Sequence, residues 1–187
     1  MDFTRIKESL ISLDVLPLID LTPPVTSVLV TICRESNGAD PYFLLTKRTE
    51  NVSTHKGQVS FPGGFPQRED KNLLFTALRE AQEEVGIEPS RVEVLGMLEP
   101  VMTRLHTRIY PFVGIVNVPY DFKIEPGEVD RIIQLPLSDF RNRGIRPVTV
   151  EVQAFKIESV GISVDGELVW GATARMLEQL EAIFKQL

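Results

Sequence analysis

The stretch REAQEEVGI, residues 79–87, constrains this chain more than any other, because it closes its most regular amphipathic segment. Leu74, Ala77, Leu78, Ala81 and Val85 fall on one face at the 3.6-residue period, which predicts a helix over residues 70–86 with Gly86 as its C-terminal stop. On that helix Glu80, Glu83 and Glu84 stand at i, i+3 and i+4, with Cβ atoms about 5 to 6 Å apart. Like charges at this spacing repel, and the helix dipole disfavours anions near a C-terminus. Either the three carboxylates form a solvated face or a positive charge compensates them.

The donor types available indicate which cation would suit. All-oxygen carboxylate clusters suit hard divalent ions, and Mg²⁺ in particular combines a few carboxylates with water and substrate phosphates. Two histidines, His55 and His106, and one cysteine, Cys33, are too few to favour a zinc site of the His/Cys type. The expected cofactor is therefore Mg²⁺ or Mn²⁺.

With 187 residues, 43 % apolar and 25 % charged, the chain is expected to form one domain over 1–187, preceded by a helical lead-in over 1–24. Within that lead-in Phe3, Ile6, Leu10 and Leu13 predict a helix over 3–13, broken by Pro23 and Pro24. A formal net charge of −6 argues against a broad nucleic-acid footprint. No apolar run approaches the ~20 residues of a membrane span, the start lacks a signal-peptide core, and a lone cysteine forms no internal disulfide, so the expected location is the cytoplasm.

Strands are predicted at 25–33 and 41–48, joined through the Asn37-Gly38 turn signal, and at 91–103 and 108–118, with Pro100 and Pro111 marking edges or bulges. Residues 125–140 mix a short element with a helical turn. Strands are predicted in 149–157 and 161–171, with an Asp165-Gly166 turn between Val164 and Glu167, and a last helix from Ala172 buries Met176, Leu177, Leu180 and Ile183. The expected fold class is α/β or α+β, with helices covering a mostly central sheet. Cys33 is expected to be buried, Trp170 to anchor the last helix, and His55 to have a structural or solvent role.

Gly-Gly at 63–64 followed by Arg79, Glu80, Ala81, Glu83, Glu84, Gly86 and Ile87 resembles the signature of the Nudix hydrolases, which cleave a nucleoside diphosphate linked to another group. The first half departs from it. Gly64 lies fifteen residues before Arg79 instead of fourteen, and the expected glutamate falls on Lys71, so that Asp70 supplies a carboxylate only if one residue is inserted before the helix. Upstream, LLTKRTENVSTHKGQVSFPGG, residues 44–64, resembles the pattern of the coenzyme A branch, keeping Leu44, Leu45, Thr46, Arg48, Gly57, Phe61, Pro62, Gly63 and Gly64. Thr49 replaces a small Ser/Ala, and Ser53 replaces a second arginine.

The resemblance implies a Nudix-like α/β/α sandwich with a central mixed sheet, and a divalent-metal-dependent pyrophosphohydrolase. Water would attack phosphorus in coenzyme A or a derivative, giving phosphopantetheine and adenosine 3′,5′-bisphosphate. It further implies Glu83 and Glu84 as metal ligands, Glu80 joining them directly or through water, and the Gly64 carbonyl completing the shell. Arg79 would hold a glutamate carboxylate in place, and Glu128 would act as a further ligand or base. Arg48, Arg104 and Arg108 are candidates for gripping phosphates. Gly63 and Gly64 would let backbone approach the metal or adopt positive φ. Asp70 reads as the helix N-cap or, alternatively, as a distant member of the acidic site. The partner implied is a small nucleoside diphosphate derivative, and because dimers are frequent in the family a homodimer is open.

Two other readings compete: a Nudix hydrolase of ADP-ribose, nucleotide sugars or dinucleotides, and a Nudix-like ligand-binding domain without catalysis. The second should have lost its glutamates, and here all three are present. Neither a Gly-x-Ser-x-Gly elbow nor a Walker loop occurs.

Overall fold

The computed structural model describes residues 3–13, 24–50, 56–152 and 155–186; Ser53, His55 and residues 14–23 of the lead-in lie outside them. Strand β1 (Val25–Glu35) is the spine of the larger sheet, and its β-branched and aliphatic residues are buried on both faces. It runs parallel to β7 (Arg108–Val118) from Val25 opposite Arg108 to Glu35 opposite Val118. On its other side it pairs antiparallel with β2 (Tyr42–Arg48) and with the two-residue β4 (Gly63–Gly64). Strand β2 in turn pairs with β3 (Val59–Ser60) and β8 (Val129–Pro136), while β5 (Val92–Met97) and β6 (Val101–Met102) pair with β7. The sheet is thus mixed and eight-stranded.

Helix α2 (Leu73–Val85) covers one face, where Ala77, Ala81 and Val85 pack against Val25, Leu29, Leu44 and Phe112. The opposite face carries α1 (Phe3–Glu8), α3 (Leu137–Arg143) and α4 (Gly171–Phe184), packed on Val30, Ile32, Phe43, Leu45 and Val113. Phe43 forms the centre of an aromatic group, edge-on to Phe140 at 5.3 Å and to Phe61 at 6.2 Å. A second, three-stranded antiparallel sheet of β9 (Arg146–Val152), β10 (Phe155–Val164) and β11 (Glu167–Trp170) joins this layer. The arrangement is a central mixed sheet between helical layers, as the sequence leads one to expect. Among the described residues no helix is long and apolar enough to cross a membrane.

Three local expectations are corrected. The lead-in helix ends at Glu8, not Leu13, because Ile11 leaves it to exchange backbone hydrogen bonds with Met97 at 2.9 and 3.1 Å. So short a helix has little stability of its own, and tertiary pairing sets its end. Residues 149–157 are not one strand but the end of β9 and the start of β10; an alternating pattern continues through a hairpin and does not mark the reversal. Pro111 sits inside an interior strand instead of at an edge, at the place where the β7 ladder passes from β5 to β6, and its carbonyl accepts from the Leu98 N–H at 2.9 Å. The donor that proline lacks is lost at that break.

Helix α2 stops where expected. Gly86 takes φ 74°, its N–H and that of Ile87 donate to Gln82 and Ala81, and a Cβ there would lie 3.1 Å from the Lys123 backbone. Gly86→Ala is expected to destabilise the protein by about 1–2 kcal/mol, the cost of a left-handed conformation for an alanine, read as a lower urea midpoint with unchanged slope.

Candidate active site

Asn72, not Asp70, caps α2: its side-chain oxygen accepts from the Phe75 N–H at 2.9 Å. The glutamates leave the far end of the helix in three different environments. The side chain of Glu84 is only 4 % exposed, that of Glu80 15 % and that of Glu83 55 %. The apolar inner face of the helix produces this gradient, since Glu84 lies beside the buried Val85 and Ala81.

Arg79 organises the outer two. Its Nη1 lies 2.8 Å from both Glu80 and Glu83, its Nη2 donates to the Phe65 carbonyl at 3.1 Å, and its Nε donates to Asp70 at 3.0 Å. Asp70 is itself buried and accepts from the Gln67 N–H and the Thr76 hydroxyl, each at 2.9 Å. Burial pushes the Asp70 carboxyl up, but the hydrogen bonds from Arg79, Gln67 and Thr76 outweigh it and hold it below the usual value of 3.8. The Asp70 bond, above all, keeps the Arg79 guanidinium charged. The role of Asp70 as anchor of Arg79 is where the N-cap expectation fails; the signal was the placing of Thr76 and Arg79 three residues apart on one helix face.

Gly63 and Gly64 bring backbone close to this helix. Neither has positive φ. A Cβ on Gly64 would fall 2.6 Å from the Glu80 carboxylate, and one on Gly63 would fall 2.3 Å from the Ser27 carbonyl of β1. Glycine is needed for close approach on both counts.

The remaining residues come from β2 and from the loop after β7. Arg48 Nη1 lies 3.5 Å from Glu84 and its Nη2 3.7 Å from Glu128, while its Nε is buried with no hydrogen-bond partner. The loop is tied to the end of α2: the Lys123 N–H donates to the Val85 carbonyl at 3.0 Å and the Glu125 N–H to the Glu84 carbonyl at 2.9 Å. The Thr49 N–H donates to the Glu128 carbonyl at 2.9 Å, joining the same loop to β2. Burial, more than the neighbouring Glu80 and Glu128 charges, pushes the Glu84 carboxyl up to about 8 against the pull of Arg48 and of the Gly63 N–H. Burial also raises Glu80, with Arg79 opposing.

Tertiary structure thus brings Arg48, Gly63, Gly64, Arg79, Glu80, Glu83, Glu84 and Glu128 together. It does not bring Arg104 and Arg108, which stand at the β6–β7 turn and, among the described residues, make no ion pair with these carboxylates. Among the described residues no three His, Cys, Asp or Glu side chains are poised around one point as metal ligands; Arg79 and Arg48 occupy the glutamates instead. Among the described residues the carboxylates of Glu80, Glu83, Glu84 and Glu128 nevertheless pair only with these two guanidiniums, one of which, on Arg79, is shared with Asp70. An all-oxygen donor set with uncompensated negative charge fits a hard divalent cation.

The sequence profile of the NUDIX domain matches residues 23–151, which include this glutamate-rich helix and the glycine strand beside it. The chain belongs to the Nudix family and is a Nudix hydrolase, a pyrophosphohydrolase by reaction class. It is similar to the uncharacterized Nudix hydrolase NudL of Pectobacterium atrosepticum, at 36 % identity over 141 residues, 75 % of this chain and 73 % of that one. It is also similar to Nudix hydrolase 15, mitochondrial, of Arabidopsis thaliana, at 41 % identity over 114 residues, 59 % of this chain and 40 % of that one. In fold it resembles the crystal structure of a MutT/nudix family protein from Enterococcus faecalis, with TM-score 0.57 at 15 % identity over 91 % of this chain and 65 % of that one.

Asp70→Asn is expected to cost about 1–3 kcal/mol near neutral pH, because it removes a charge-assisted acceptor from a buried site. A depressed carboxylate stabilises the fold above its unfolded value of 3.8 and loses that contribution as pH falls through the folded one. The gap in stability between wild type and variant should therefore close in urea titrations carried out below pH 3.8.

Proposed function

We propose that this Nudix hydrolase cleaves the diphosphate of coenzyme A or its derivatives with the help of Mg²⁺ or Mn²⁺. One observation carries the substrate assignment. Residues of the upstream pattern and of the helix signature, far apart in sequence, meet in one site: Arg48 of LLTKR reaches Glu84 and Glu128, and Gly64 of FPGG backs Glu80. The coenzyme A-type pattern therefore belongs to the carboxylate site and is not a separate feature of the surface.

In this reading Glu80, Glu83 and Glu84, with the Gly64 carbonyl, hold the metal. The bound ion supplies charge neutralisation to the diphosphate and acidity to a water. Arg79, fixed by Asp70, sets the orientation of Glu80 and Glu83. Glu128, with a side chain 53 % exposed, can take a proton from the attacking water or add a ligand. Arg48, between Glu84 and Glu128, holds a substrate phosphate by its charge. Water attacks phosphorus and no covalent enzyme intermediate forms, so positioning and charge do most of the catalytic work.

Incubated with Mg²⁺ or Mn²⁺ and coenzyme A, the protein should release phosphopantetheine and adenosine 3′,5′-bisphosphate, resolved by chromatography. Intact coenzyme A alongside cleaved ADP-ribose would overturn the assignment. Glu84→Gln should lower kcat/KM by at least about a hundredfold and abolish cation uptake in calorimetry. The metal-free variant should be at least as stable as wild type near neutral pH, because burial raises the Glu84 carboxyl to about 8 and folding must suppress an ionisation that the unfolded chain allows, a cost glutamine does not carry.

A further inference from the structure

Lys47 on β2 and Arg131 on β8 stand directly opposite each other across the antiparallel ladder, so their side chains leave the same face of the sheet. Like charges in that arrangement repel and weaken the pairing of the strands. Here a carboxylate from the second sheet lies between them. Lys47 Nζ donates to Glu167 Oε1 at 2.7 Å, and Arg131 Nη2 donates to the same oxygen at 2.9 Å. The side chains of Lys47 and Glu167 are only 25 % and 23 % exposed. Glu167 follows the two-residue turn between β10 and β11, where Asp165 and Gly166 take φ 51° and 76° and Val164 pairs with Glu167. Asp165, on the same turn, pairs with Arg131 as well. Two cations of the large sheet are thus balanced by two carboxylates of the small one.

The place of this cluster, more than its strength, gives it a role. Immediately after the Lys47–Arg131 pair the register of β2 and β8 slips by one residue, so that Arg48 stands opposite Val129 and Asp130 is passed over. Kept in register, Arg48 would face Asp130, and Glu128 would face Glu50. The slip instead lets the Thr49 N–H reach the Glu128 carbonyl at 2.9 Å and brings the Glu128 carboxylate to 3.7 Å from Arg48 Nη2. A bulge disrupts the ladder locally, so the contacts beside it must hold the strands in place. We propose that Glu167 is a positioning residue for the reaction: by neutralising Lys47 and Arg131 it holds β2 against β8 beside the slip and keeps Arg48 and Glu128 in one site. The inference rests on the reading of Arg48 as the group that grips a substrate phosphate. It makes the three-stranded sheet a support of the active site, acting through the strand that carries Arg48.

The test compares the full-length wild type with Glu167→Gln and with Glu167→Gln combined with Lys47→Met. Glutamine has the shape of glutamate, and the second sheet stays docked through the buried Ile162, Val164 and Val169, so both variants should fold. In Glu167→Gln the KM for coenzyme A with Mg²⁺ should rise about three- to fivefold, the size expected when a like-charged cross-strand pair is uncovered. KM does not depend on the fraction of protein folded, so a merely structural loss would not move it. Lys47→Met in the Glu167→Gln background removes the repulsion and should return KM to within about twofold of wild type. An unchanged KM in Glu167→Gln, or no recovery in the double variant, would overturn the inference. Should coenzyme A prove inert, the proposed substrate falls, and the same KM comparison with ADP-ribose decides the role of Glu167.

Discussion

Negative charge concentrated against one end of α2 is the constraint to which the rest of the structure answers. Four glutamate carboxylates share that region with two guanidiniums, and one of the four, on Glu84, is almost wholly buried. Desolvation makes such a group costly in its ionised form. Arg79 and Arg48 reduce the cost without removing it. The same excess of charge that opposes folding is what a divalent cation and a polyanionic substrate would relieve, so the site trades stability for chemistry.

The arginines can serve only because other elements hold them. Arg79 is fixed by Asp70, which is in turn fixed by Thr76 and the Gln67 N–H. Arg48 stands at the end of β2, and the loop bearing Glu128 reaches it because that loop also closes the C-terminus of α2 through Lys123 and Glu125. The unsatisfied carbonyls of a helix end thus position a functional loop. Gly63 and Gly64 complete the arrangement by letting a strand of the sheet approach the helix more closely than any side chain would permit.

Much of this was legible in the chain itself. The amphipathic period of α2, its Gly86 stop, the strand at 25–33 and the burial of Cys33 all follow from residue type and spacing. The grouping of Glu80, Glu83 and Glu84 follows from helical geometry, because residues at i, i+3 and i+4 emerge on one face. The role of Asp70 was not legible: an acidic residue shortly before a helix reads as a cap, and only packing shows that Asn72 takes the cap and leaves Asp70 for Arg79. The hairpin between β9 and β10 and the interior position of Pro111 were missed for a related reason. Strand pairing depends on partners far away in sequence, which local alternation does not record.

The sequence by itself determined the helix, its row of carboxylates and the reaction class, since a 3.6-residue period and a local signature act over a few turns of one element. Tertiary structure alone decided how deeply each glutamate is buried and which arginines meet them. Those properties are set by the approach of β2, β4 and the loop at 120–128 to the helix, and such long-range contacts form only when the whole sheet closes over its core.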